Sequence, residues 1–234
     1  VHASVNHTLA ANVEVLLLLG AALNGTGNAL ANTITGNALS NKIDGGAGGD
    51  KLIGGLGNDT YVVGSALDMV TESMGQGTDA VLAWINHTLA ANVEVLTLLG
   101  SAQNGTGNAL ENTITGNSLS NKIDGGAGGD QLAGGLGDDT DVGGSSLDVV
   151  TELAGQGTDT VHAWINHSLA ANVENLTLLG GALNGFGNAL ANVITGNALA
   201  NRLDGGAGGD GDGRGTRESA GRSYRRGRGE VEAN

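Results

Sequence analysis

The chain of 234 residues contains no cysteine and no proline, and only five aromatic residues: Tyr61, Trp84, Trp164, Phe186 and Tyr224. Without cysteine there are no disulfide staples and no thiolate chemistry. A globular domain of this length normally fills its core with aromatics, each of which buries a large area. Leu, Val, Ile and Ala must do so here, which suits a thin interior of stacked aliphatic side chains. It argues against a thick sandwich or an α/β enzyme. Basic residues are scarce as well. Residues 1–212 hold 21 acidic and 4 basic side chains, a balance of −17, whereas residues 213–234 hold 3 acidic and 6 basic ones. An acidic body repels itself and nucleic acid alike, and cations relieve that repulsion. No apolar run approaches the roughly 18 residues of a membrane-crossing helix. No secretory signal is visible, and the chain opens at Val1 rather than Met, so it reads as part of something larger.

Catalytic motifs are missing too. There is no GxSxG nucleophile elbow and no GxxxxGK phosphate loop. The glycine-rich loops lack the βαβ frame that dinucleotide binding requires. Carboxylate pairs are abundant, and glycoside hydrolysis needs only two. These recur with the repeat described next and have no aromatic sugar platform beside them.

What the chain has in excess is glycine, 44 residues of it, set to a beat of nine. GGAGGDKLI begins at Gly45, GGLGNDTYV at Gly54, GGAGGDQLA at Gly125 and GGLGDDTDV at Gly134. Glycines stand at positions one, two and four, Asp at six and mostly an apolar residue at eight. Glycine permits the φ > 0 turns and close approach that let carbonyl oxygens converge. Asp adds a charged oxygen, and the last three residues suit a short strand. The same beat runs upstream through GNALANTIT from Gly27 and GNALSNKID from Gly36, and downstream through VGSALDMVT from Val63. A longer repeat encloses it. Asn6–Glu14 returns as Asn86–Glu94 and Asn166–Glu174, eighty residues apart each time. Eighty is one less than nine nines, which predicts a nearly continuous solenoid with one shortened turn per unit. Alternation over Val81–Ile85 predicts strand in the least regular stretch, with a small separate cap domain as the alternative. Units that cannot bury their own apolar edge can do so in a row.

These nonapeptides resemble the RTX, or hemolysin-type, calcium-binding repeat. The resemblance implies an all-β, right-handed parallel β-roll (a β-solenoid) with two nonapeptides per turn, covering residues 1–212. It also implies Ca2+ between loop n and loop n+2, held by position-six Asp side chains and loop carbonyls. Calcium wants about six to eight oxygens at roughly 2.4 Å, more than one loop supplies. Carried over residue by residue, Asp50 is expected to face Asp68, and Asp130 to face Asp148. Asp59 and Asp139 take Asn41 and Asn121 as partners, an uncharged pairing that predicts weaker sites. The carbonyl ligands would come from Gly45, Ala47, Gly54 and Leu56, and from Gly125, Ala127, Gly134 and Leu136. Loops such as GNALAN, which lack the second and fourth glycines, are read as hydrogen-bonded asparagine ladders. Asp210 has no downstream loop to complete a site.

Other features carry blander readings. Glu72, Asp79, Glu152 and Asp159 recur at matching positions and read as solvated charges at turns, with outer calcium ligands as the alternative. Three of the five histidines lie in the repeated Asn-His-Thr/Ser turn; without cysteine or helix support, they read as surface residues rather than zinc ligands. Asn6-His7-Thr8 fits a glycosylation acceptor only as a by-product of the repeat. Residues 213–234, rich in Arg and Gly, read as a disordered tail. The expected role is non-catalytic: a bacterial, secreted, extracellular module that binds calcium and folds on it after type I secretion. Alternatives are an accessory module of an extracellular protease, lipase or polysaccharide epimerase, or an adhesin spacer.

Overall fold

The computed structural model describes residues 1–208. Asp210 and the whole of segment 213–234 lie outside the described residues. The described chain is all-β, with 24 short strands and no helix, so no helix is long and apolar enough to cross a membrane. Every strand pairing is parallel and joins a strand to the second one along the chain. Two strands therefore make one coil, and the coils stack into a β-solenoid of the β-roll kind. Pairing breaks the stack into sheets of five, nine, seven and three strands.

The beat of nine is the cause. Three residues form the strand and six turn the corner, so position eight, the middle of each strand, always points inward. One interior ladder runs Ile43, Tyr61, Val81, Leu96, Ile114, Leu132, Val150, each in register with the next. All seven are buried. A second runs Ile123, Asp141, Val161, Leu176, Ile194. The alternation over 81–85 also resolves as expected, with Val81 and Ala83 buried and Trp84 exposed. Ala80–Ala83 pairs on both sides, with Thr60–Val63 and Val95–Leu98. The irregular stretch thus belongs to the solenoid rather than to a separate cap.

The missing residue of the eighty arises differently from the single shortened turn expected. Register steps are eighteen residues through the nonapeptides, as from Lys42 to Thr60. Thr60 then pairs with Ala80, twenty residues on, and Ala80 with Val95, fifteen on. One loop, 72–79, gains two residues and the next step loses three. The same pair of steps recurs from Thr140 to Thr160 to Asn175. Nine strands lie from His7–Thr8 to Ala80–Ala83, and nine more from His87–Thr88 to Thr160–Ala163. Because nine is odd, equivalent loops of successive units fall on opposite edges of the coil.

Glycine also serves inside the roll. Gly105 sits in the strand Asn104–Thr106 and faces inward, in register with Ile123. A Cβ there would lie 3.2 Å from Leu96 Cδ2 and 3.4 Å from Ile114 Cγ2. The large side chains of neighbouring coils already fill the space. Gly105→Val should therefore lower stability by about 1–3 kcal/mol through overpacking. Thermal denaturation in saturating calcium would read this; an unchanged midpoint would mean the leucines reorient freely.

Candidate metal centre

Position six of each loop stacks on position six of the coil before it, through one repeated hydrogen bond. Asn32 N–H donates to Asp50 Oδ1 (2.7 Å), and Asp50 N–H to Asp68 Oδ1 (3.0 Å). In the second unit Asn112 N–H donates to Asp130 Oδ1 (2.8 Å), and Asp130 N–H to Asp148 Oδ1 (3.1 Å). Asp50 and Asp68 are thus brought together, as are Asp130 and Asp148. On the opposite edges, Asn41 N–H reaches Asp59 Oδ1 and Asn121 N–H reaches Asp139 Oδ1, both at 2.6 Å.

Those last two aspartates have a second neighbour that the sequence reading does not assign them. Asp59 N–H donates to Asp79 Oδ1 (2.7 Å) and Asp139 N–H to Asp159 Oδ1 (2.9 Å). The longer loop makes the stacking distance twenty residues instead of eighteen, which hides the pairing from a strict count of nines. Asp79 and Asp159 are not solvated turn charges: each is 1% exposed, and Glu72 and Glu152 are buried with them. The premise that Asp59 and Asp139 have only asparagine beside them is corrected accordingly.

Asparagine and aspartate loops satisfy their side chains differently, and glycine decides which. In an asparagine loop the position-two N–H donates to the position-six Oδ1, as Asn28 does to Asn32 and Asn37 to Asn41 (2.7 and 2.8 Å). The Asn Nδ2 then reaches a carbonyl of the coil before, Val13 for Asn32 and Ala22 for Asn41. The asparagine ladder is closed on itself. In the glycine loop position two is Gly46, whose φ of 85° only glycine adopts without strain. That turn sends its N–H to Asp44 Oδ1 instead (3.0 Å). Asp50 Oδ2 is left buried without a donor, and so are the Oδ2 atoms of Asp59, Asp130 and Asp139.

A buried anionic oxygen with no partner is costly unless something positive meets it. Calcium takes such oxygens as ligands, so the residues present fit the cation. Glycine is required where these atoms approach the loop backbone: a Cβ at Gly45 or Gly54 would run into Asp50 Oδ2 or Asp59 Oδ2. Gly45, Gly54, Gly125 and Gly134 are buried, while Ala47, Leu56, Ala127 and Leu136 sit exposed at the loop tips. The electrostatics point the same way. Burial raises the carboxyls of Asp50 and Asp130, against the opposing N–H bonds from Asn32 and Asn112. Asp59 is pushed up to about 6, mainly by burial. The Oδ2 atoms of Asp68 and Asp148, by contrast, are not orphaned: each accepts two loop N–H groups.

His87 and His167 are less exposed than expected of surface residues. Both are half-buried, with Nε2 buried and unpartnered. Burial lowers the pKa of each, against the pull of Asp68 and Asp148.

Comparison with known proteins agrees with this geometry. Residues 26–61 and 106–141 match the family described as RTX calcium-binding nonapeptide repeat (4 copies). These segments are RTX repeats carried on a β-roll, and such repeats bind calcium ions. A stretch of 52 residues is 44% identical to the endo-1,3-1,4-beta-glycanase ExsH of Rhizobium meliloti (strain 1021). An equal length is 40% identical to the endo-1,3-1,4-beta-glycanase EglC of the same organism. Each match covers 22% of this chain and 11% of the relative. No solved structure matches the chain.

Proposed function

We infer that this chain is the calcium-binding module of a secreted, extracellular bacterial protein, and that it folds on calcium outside the cell. The observation that carries this reading is the set of buried, donorless Oδ2 atoms on Asp50, Asp59, Asp130 and Asp139. Ions would lie against these oxygens, with Asp68 and Asp148 in the adjoining coils and carbonyls of the glycine loops completing the shell. Ligand sets of this kind do not exist in an unfolded chain, so binding free energy becomes folding free energy. Inside a cell, where free calcium is low, the chain would stay unfolded and exportable.

A second reading is favoured by the two relatives, both named as glycanases. In it, the roll is the accessory module of an extracellular enzyme whose catalytic part lies elsewhere. The two readings share the same calcium chemistry and differ only in what the module is attached to. An adhesin spacer would share it too.

Titration calorimetry with calcium tests the sites. Asp130→Asn and Asp148→Asn should each weaken binding. The double variant should lose less than the sum of the two, because the second change acts on a site already damaged. Asp139→Asn should cost at least as much as either, since Asp159 lies beside it as well as Asn121. Equal small effects at all three positions would overturn the assignment, and no calcium uptake by the parent would overturn the function.

A further inference from the structure

The eight-residue loop 72–79, outside the segments matched by the RTX repeat, closes the first run of glycine loops with acids of its own. Glu72 takes the place that Gly54 holds one coil earlier and turns its side chain inward. One oxygen, Oε1, accepts the hydroxyl of Tyr61. The other, Oε2, is buried without a partner, like Asp59 Oδ2. Asp79 stands over Asp59 through the N–H bond already described. Ligand oxygens of Asp59, Glu72 and Asp79 all lie within 4.8 Å of one another. Two oxygens bound to one calcium at about 2.4 Å can be at most about 4.8 Å apart. Glu72 is 8% exposed, and Asp59 and Asp79 are 1% exposed, so water screens this repulsion poorly.

The second unit places the equivalent acids with a different anchor, although among the described residues only Asp59, Glu72 and Asp79 bring three ligand oxygens within 4.8 Å of one another. Tyr61 is replaced by Asp141, and Glu152 Oε1 accepts the N–H of Gly134 instead (3.0 Å). Oε2 of Glu152 is again buried and unpartnered, beside Asp139, whose Oδ2 is too. Two units therefore hold the glutamate by different means and leave the same oxygen free. Packing alone does not require that outcome; an ion received at that point does.

We propose that Glu72 and Asp79, with Asp59, form a divalent-cation site of the calcium type that seals the end of the glycine-loop run, and that Glu152, Asp159 and Asp139 form its counterpart in the second unit. It rests on the calcium-binding reading above and adds to the Asp59 and Asp139 sites ligands that the nonapeptide pattern does not contain. The tyrosine of the first unit is a positioning residue that orients Glu72. In the second unit Asp141 supplies a further carboxylate beside Glu152, Asp139 and Asp159. Because equivalent loops alternate edges, the two sites sit on opposite sides of the roll.

Equilibrium dialysis against calcium, counting ions per chain, tests this. Glu72→Gln with Glu152→Gln should bind two fewer ions than the parent. Glu72→Lys with Glu152→Lys should also bind two fewer, and should tolerate chelator better than the parent, because an ammonium then stands among the acids. An unchanged count in either variant overturns the proposal while leaving the glycine-loop sites intact; a parent that binds no calcium overturns the broader function instead. Terbium emission offers a readout that leaves the acids untouched. An ion beside Glu72 is excited through Tyr61, so emission should drop severalfold in Tyr61→Phe, and equal emission would count against the site.

Discussion

Calcium-free protein at pH 8 should lose most of its β-sheet signal, and calcium in the millimolar to sub-millimolar range should restore it. Nine carboxylates are buried among the described residues: Asp50, Asp59, Glu72, Asp79, Asp130, Asp139, Asp141, Glu152 and Asp159. The four basic side chains of that region, Lys42, Lys51, Lys122 and Arg202, are all exposed. Only bound cations or protons can neutralise the interior. Protons do so at low pH, which fixes the sign of the pH dependence. Burial raises these carboxyls, Asp59 to about 6, Glu152 to about 7 and Asp141 to about 8. Between roughly pH 4 and 8 the calcium-free fold therefore holds more protons than the unfolded chain. Its stability falls as pH rises, by about 1.4 kcal/mol per pH unit for each group inside its own window. Calcium affinity should move the other way and rise with pH, since the ion must displace protons. Magnesium should substitute poorly, because it demands a tight octahedron and sheds water reluctantly. Far-UV circular dichroism and thermal melts at pH 5 and pH 8, with and without calcium, would read all of this. A full β signal at pH 8 in excess chelator would overturn the folding switch.

The regular part of this architecture is legible because glycine and a period of nine act locally. Each nonapeptide contains its own turn, its own strand and its own inward residue, so Ile43, Ile123 and Leu132 can be assigned to the interior one loop at a time. The pairings of Asp50 with Asp68 and of Asp130 with Asp148 follow from the same count. What is not legible depends on a change of step. Thr78-Asp79-Ala80-Val81 repeats the order of Asn58-Asp59-Thr60-Tyr61, a polar residue and Asp followed by an inward apolar position. That signal becomes visible only once an eleven-residue step is allowed. The burial of Glu72 has no local signature at all. A glutamate beginning a loop reads as solvated until the coil before it, with Gly54 and Tyr61, is placed beneath it. The donorless state of Asp50 Oδ2 is also a property of the folded loop, because it depends on the direction in which Gly46 turns its N–H.

Asp141→Tyr should stabilise the calcium-free protein at pH 7 by about 4 kcal/mol. Asp141 stands at position eight, where Ile123, Val161, Leu176 and Ile194 of the same ladder present aliphatic side chains. It lies between Ile123 and Val161, fully buried, with neither carboxyl oxygen bonded. Burial, then the nearby Glu152, Asp139 and Asp159, hold its pKa at about 8. Keeping it protonated at pH 7, against an ordinary value of 3.8, costs about 4 kcal/mol at roughly 1.4 kcal/mol per unit. The first unit supplies the replacement. Tyr61 occupies the same position between Ile43 and Val81, the same two residue types, and is fully buried with its hydroxyl on Glu72. A tyrosine at 141 should fit the equivalent space and reach Glu152. For a roll of this size the gain corresponds to a rise in Tm of roughly 10 °C. It should shrink as pH is lowered, and vanish only below about 3.8, where the aspartate is protonated in both folded and unfolded chains. It should shrink again in saturating calcium, which favours the ionised aspartate. Thermal melts of parent and variant at pH 4.5 and pH 7, in chelator and in calcium, separate these contributions. A Tm at pH 7 in chelator that does not rise would mean that the aspartate is relieved by some other means than protonation or a bound ion.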